Sequence, residues 1–142
     1  ESFPSCAMEQ LDVIEGQGVS LSRVVIGHMA TIKPEHRPLA THTEVARRGA
    51  FVGLDTLGHE MGRSRIPASD KVRMVLDLID AGFEDHILLS SDQGNVNQFK
   101  ANWGHGWSSV LMQLAKAYTY SLKLSLYWRA ASTRVPSTLL ST

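Results

Sequence analysis

The sequence predicts an α/β protein built on a parallel sheet, and two observations carry that prediction. Helical stretches alternate with short apolar runs, and each helical stretch closes on a glycine shortly before the run that follows it. The runs are continuously apolar, as strands are when both faces of a sheet are covered, and do not alternate between polar and apolar.

The first unit places Ala7, Leu11 and Ile14 on one helical stripe, which Gly16 or Gly18 ends before the run from Arg23 to Ile26. In the second unit Pro38 suits the first position of a helix, with Leu39 and Ala46 turned inward and Gly49 closing it before Phe51 to Leu54. The third unit, "SDKVRMVLDLIDAGF", has the strongest period: Val72, Val75, Leu76 and Ile79 fall at i, i+3, i+4 and i+7. Ser69 is the expected N-cap, Asp70 suits the first turn, and Gly82 suits the left-handed position after the last turn. Ile87, Leu88 and Leu89 follow, and a fourth helix begins near Ser108 with Val110, Leu111 and Leu114. Strands are therefore expected near 23–27, 50–54 and 87–91, parallel, adjacent and in that order. Helices near 38–48 and 69–81 serve as right-handed crossovers.

Composition narrows the partners. The chain has 142 residues, the size of one domain, with 43% hydrophobic and 20% charged residues. A formal net charge of zero gives no field that would draw it to nucleic acid or to anionic lipid. The pair Arg47-Arg48 sits at a helix end, where cations suit the dipole. No apolar run approaches the roughly 18 residues of a membrane span. The opening "ESFPSCAMEQ" has no basic region followed by an apolar stretch, so no signal peptide is expected there. Cys6 is the single cysteine, which excludes an internal disulfide and a cysteine metal cage and fits a reducing, cytoplasmic setting.

Parallel α/β sheets form their sites at the carboxyl ends of strands. His28, Asp55 and Asp92 each stand at such an end. An imidazole nitrogen and hard carboxylate oxygens suit zinc or a similar divalent ion, which would acidify a bound water, and an aspartate beside that water accepts its proton. The plainer reading is that a polar residue only marks where a strand leaves the core. His59 in "GLDTLGHEMG" and His105 in "NWGHGWSS" lie in glycine-rich loops on the same face, with Trp103 and Trp107 as apolar walls or loop anchors. His36 and His42, in or beside a helix, and His86, ahead of a strand, are expected to be solvated or capping residues.

The stretches "GVSLSRVVIGHM", "RGAFVGLDTLG" and "DHILLSSD", followed by "KANWGHGWSSVL", resemble the last third of the phosphotriesterase family. These are metal-dependent hydrolases of the amidohydrolase superfamily, folded as (β/α)8 TIM-type barrels. The resemblance runs from about residue 8 to 113 and leaves 114–142 as a divergent tail of a single partial barrel domain. It implies that the three runs are barrel strands six to eight. It makes His28 a metal ligand, and Asp92 both a ligand and the catalytic residue that handles the proton of the bridging hydroxide. It places Asp55, Thr56, His59, Trp103 and His105 on the substrate side. The implied cofactor is zinc or another divalent transition metal, binuclear in the family.

The departures are specific. The family's first-strand His-x-His pair, fourth-strand lysine and fifth-strand histidine have no counterpart here, because the matching chain would lie before residue 1. Thr31 and Thr56 stand where the phosphotriesterases proper carry an acidic residue and a histidine, which argues against efficient organophosphate turnover.

The leading expectation is thus a hydrolase of small-molecule esters, lactones or phosphotriesters, incomplete and weakly active or inactive as this chain alone. The alternative is a non-catalytic barrel remnant or interaction module, with open strand edges that favour self-association or docking to an amino-terminal part. A doubly wound α/β enzyme ranks third, since no G-x-G-x-x-G follows a strand.

Overall fold

Three helices end in the same way, and that ending sets where each strand begins. A computed structural model of the protein describes residues 4–33, 38–57, 66–102, 106 and 108–112. In chain order the main elements are α1 (Pro4–Gly16), β1 (Val25–Ile26), α2 (Pro38–Arg47), β2 (Phe51–Leu54), α3 (Ala68–Asp80) and β3 (Ile87–Leu89). After each helix a glycine takes positive φ: Gly18 at 77°, Gly49 at 91° and Gly82 at 80°. In each case the glycine N–H and the next N–H turn back to helix carbonyls. Gly49 donates to Ala46 and Ala50 to Val45; Gly82 donates to Ile79 and Phe83 to Leu78. Gly18 and Val19 repeat the pattern on Glu15 and Ile14. This pair of bonds is the Schellman closure, and it satisfies carbonyls that a helix end otherwise leaves bare.

The strands pair as expected, parallel and in the order β1-β2-β3. Two of them are shorter than the apolar runs suggested. β1 keeps only two residues, although Phe51 N–H still donates to the Val24 carbonyl. β3 stops at Leu89, yet Ser90 N–H donates to Leu54 and so carries the ladder one step further.

Register assigns the faces. Ile26, Val52 and Ile87 are paired neighbours, so they share one face, with Leu54 and Leu89 two residues on. That face meets the helices: Ile26, Val52 and Leu54 are buried against Leu11 of α1, Val45 and Ala46 of α2, and Val75 and Leu78 of α3. The opposite face carries Val25 and Leu88, which are 50% and 44% exposed, with Gly53 between them. A Cβ at Gly53 would stand 2.9 Å from the Ile26 carbonyl and 3.2 Å from Val25, so only glycine lets β1 approach there.

Two helical faces differ from the expectation. In α2, Leu39 is 40% exposed, and Thr41, His42, Val45 and Ala46 form the inward face. In α3 the buried stripe is Lys71, Met74, Val75 and Leu78, whereas Leu76 and Ile79 are 37% and 44% exposed. Both stripes have the same spacing and differ by one position. The expected stripe of Val72, Val75, Leu76 and Ile79 did not include Lys71, which is buried in the fold with its Nζ donating to the Thr56 carbonyl at 2.7 Å. The α3 N-cap is Pro67, not Ser69, and its carbonyl accepts from Asp70 and Lys71. Residues 109–112 are helical, as expected of a fourth helix, with Leu111 exposed and Leu114 outside the described residues.

Candidate functional site

His28 lies two residues beyond β1, Asp55 directly follows β2, and Asp92 lies three beyond β3. All three therefore follow carboxyl ends of parallel strands. Two of them also share a rarer property. His28 and Asp92, with φ of 57° and 46°, are the non-glycine residues with positive φ among the described residues. Such a conformation costs on the order of 1 kcal/mol and concentrates at functional sites.

The His28 turn is held from several sides. Its N–H donates to Asp55 Oδ2 at 2.8 Å. Its carbonyl accepts from Thr31 twice, from the backbone N–H at 3.0 Å and from Oγ1 at 2.6 Å. Its Nδ1 lies 3.2 Å from Asp55 Oδ1 but outside hydrogen-bond alignment, so the buried Oδ1 has no hydrogen-bond donor among the described residues. Nε2 is then the ring nitrogen not turned toward Asp55. Gly27 makes this approach possible, because a Cβ there would sit 3.2 Å from Asp55 Oδ2. The sequence reading placed Asp55 on the substrate side and missed its hold on His28; the signal was the glycine ahead of the histidine.

Asp92 is exposed, and its carbonyl accepts from Gly94 N–H at 2.9 Å. Among the described residues it forms no hydrogen bond or ion pair with His28 or Asp55. Thr56 is buried, with its Oγ1 unpartnered, and Gln93 Oε1 is buried and unpartnered in the same way. Together with Asp55 Oδ1, these unmatched atoms lie just past the ends of β2 and β3. His59, Trp103 and His105 lie outside the described residues, as do His36 and Trp107.

Two other histidines are not the solvated groups their neighbours suggested. His42 is fully buried, with Nε2 at 2.8 Å from the Met29 carbonyl and Nδ1 unpartnered. Burial pushes its pKa below the ordinary value, against the weaker opposing pull of the Met29 carbonyl. His86 is half-buried, with Nδ1 3.1 Å from the Ala50 carbonyl and its ring beside Phe51 and Phe83.

The chemistry of the donors suits a divalent ion, but their number does not. Zinc takes at least three protein ligands, and among the described residues no group of three histidine, cysteine or acidic side chains could hold a metal. His28 and Asp92 therefore do not make a metal centre by themselves. Among the described residues no helix is long and apolar enough to cross a membrane.

Comparison with known proteins identifies relatives of the chain. The model of the phosphotriesterase family matches residues 2–121. The phosphotriesterase homology protein of Escherichia coli is 33% identical over 110 residues, covering 78% of this chain and 35% of that protein. The crystal structure of the same protein, complexed with phosphate in its active site, aligns with a TM-score of 0.70 at 30% identity over 82% of this chain and 39% of its own. The N-acetyltaurine hydrolase of Xenopus tropicalis is 29% identical, over 71% of this chain and 30% of the relative. A lactonase from Listeria monocytogenes aligns with a TM-score of 0.58 at 31% identity, over 70% of this chain and 28% of its own. The chain spans about a third of the length of the curated relatives it matches.

Proposed function

Because the chain belongs to the phosphotriesterase family, a group of metal-dependent hydrolases, we propose that it supplies strands six to eight of a (β/α)8 barrel hydrolase. The substrate class is a small ester, lactone or phosphotriester; the amide of an N-acyl amino compound joins it, since one group of relatives is named for N-acetyltaurine. One observation carries the reading: His28 is oriented by Asp55 from the neighbouring parallel strand, at the end of the sheet where such barrels work. His28 and Asp92 would be two of the ligands for zinc or another divalent ion, with the remaining donors supplied by the rest of the barrel. When bound, such an ion acidifies water. Asp92 would serve as proton acceptor, Asp55 would hold the His28 ring, and Thr56, His59, Trp103 and His105 would contact the substrate.

A second reading rests on the exposed sheet face. Among the described residues Val25 and Leu88 expose apolar surface, and β1 and β3 each have one neighbour in the sheet. An open edge beside an apolar face favours another chain, either a second copy or the amino-terminal part of a barrel.

The test is to assay lactones, aryl phosphotriesters and N-acyl amino compounds with added zinc or cobalt. The 142-residue chain is compared with the same chain joined to strands one to five of a relative. Hydrolysis by the joined protein only, lost in Asp92→Asn, supports the first reading. Robust turnover by the chain alone overturns its incompleteness, and a folded joined protein with no hydrolysis favours the second reading.

A further inference from the structure

Two buried polar side chains, one on each crossover helix, repeat a single arrangement. His42 of α2 places Nε2 2.8 Å from the carbonyl of Met29, the residue directly after His28. Lys71 of α3 places Nζ 2.7 Å from the carbonyl of Thr56, the residue directly after Asp55. Each helix follows the strand whose loop it reaches, and the sequence separations are similar, 13 and 15 residues. Both side chains are buried, at 0% and 1% exposure. Burial of an imidazole and an ammonium is costly, and in each case the cost is offset at a loop carbonyl.

From this repetition we propose that His42 and Lys71 are positioning residues for the His28–Asp55 pair. His28 adopts a left-handed conformation, which needs surrounding contacts to persist. Asp55 and Thr31 hold His28 from the solvent side, and His42 fixes the next peptide from the core. Lys71 likewise fixes the peptide after Asp55, so the carboxylate is presented from an anchored loop. Each of these side chains meets the loop at a backbone carbonyl.

The inference rests on reading His28 and Asp55 as site residues. Its test uses backbone protection, which does not depend on hydrolysis, so the two ideas fail separately. Amide hydrogen exchange is followed at His28, whose N–H is bonded to Asp55, and at Leu57, whose N–H is bonded to the Ser90 carbonyl. His42→Leu should speed exchange at His28, and Lys71→Met at Leu57, each by at least about tenfold beyond that in equally destabilised Val45→Ala and Leu78→Ala. His42→Gln and Lys71→Arg, which keep a donor, should restore protection. Should an apolar variant not fold, His42→Asn or Lys71→Ser, polar but too short to reach the carbonyl, makes the same comparison. Exchange no faster than in the matched core variants would overturn the proposal.

Discussion

His28 and Asp55 meet at two points, backbone N–H to Oδ2 at 2.8 Å and Nδ1 to Oδ1 at 3.2 Å. One carboxylate thus holds the peptide that leaves β1 through Oδ2 and faces the ring it carries through Oδ1. The ring nitrogen facing away from the carboxylate, Nε2, is the one available to bind.

Removing that tether should weaken binding at His28 more than it weakens the fold. In a barrel-completed protein, Asp55→Ala should lower metal affinity by roughly 10- to 100-fold, the range for a carboxylate supporting a metal-bound histidine. Asp55→Asn should lose less, because it retains an acceptor for the His28 N–H. Metal titration by calorimetry reads both; unchanged affinity in Asp55→Ala would reduce the pair to a packing contact.

In α3 the two apolar stripes make opposite predictions about stability. Leu78 is fully buried and Leu76 is 37% exposed. Leu78→Ala should cost about 2–5 kcal/mol, as for a core leucine, and Leu76→Ala much less. Urea unfolding measures both. Equal costs would mean that the exposed stripe is covered by other chain in solution.

That helix also shows what the sequence could reveal. The order of elements and the strand pairing were legible because glycine closures and apolar runs are local signals, and Gly18, Gly49 and Gly82 all take the backbone shape their position required. Which face of a helix turns inward is a tertiary matter. Lys71 and His42 are buried through carbonyls contributed by distant loops, and nothing within either helix announces those partners. That His28, Asp55 and Asp92 follow strand ends was legible from the apolar runs. The His28–Asp55 contact depends on a register between two strands and on the absent side chain of Gly27, which a linear reading does not weigh.

The helix closures can be tested one at a time. A Cβ at Gly82 would meet nothing within 4 Å, so Gly82→Ala isolates backbone strain at a φ of 80°. The expected loss is on the order of 1 kcal/mol, with Gly82→Asn losing less because asparagine tolerates the left-handed region. A neutral Gly82→Ala in urea unfolding would contradict the Schellman closure there.

His42 ties stability to pH. Burial holds its folded pKa below the ordinary 6.5, so the unfolded chain binds the proton more readily. Stability from this group is complete above that ordinary value and declines as pH falls from it toward the lower folded value. The urea midpoint should therefore drop in mildly acidic buffer, and His42→Gln should flatten that part of the profile. An identical slope in the variant would assign the acid sensitivity to other groups.

The last prediction ranks two residues past strand ends that differ in what they offer. Asp92 is exposed, strained at a φ of 46°, and carries a carboxylate able both to ligate and to accept a proton. Thr56 is buried, and its carbonyl, which a substitution retains, is the group that Lys71 grips. In a barrel-completed protein, Asp92→Asn should therefore lower kcat by about 100-fold or more, the scale on which a positioned proton acceptor contributes. Thr56→Ala removes only a hydroxyl and should change KM more than kcat. Steady-state kinetics separate the two, since Asp92→Asn removes the proton acceptor and Thr56→Ala leaves it in place. Comparable kcat losses in both variants would move the proton-accepting role away from Asp92.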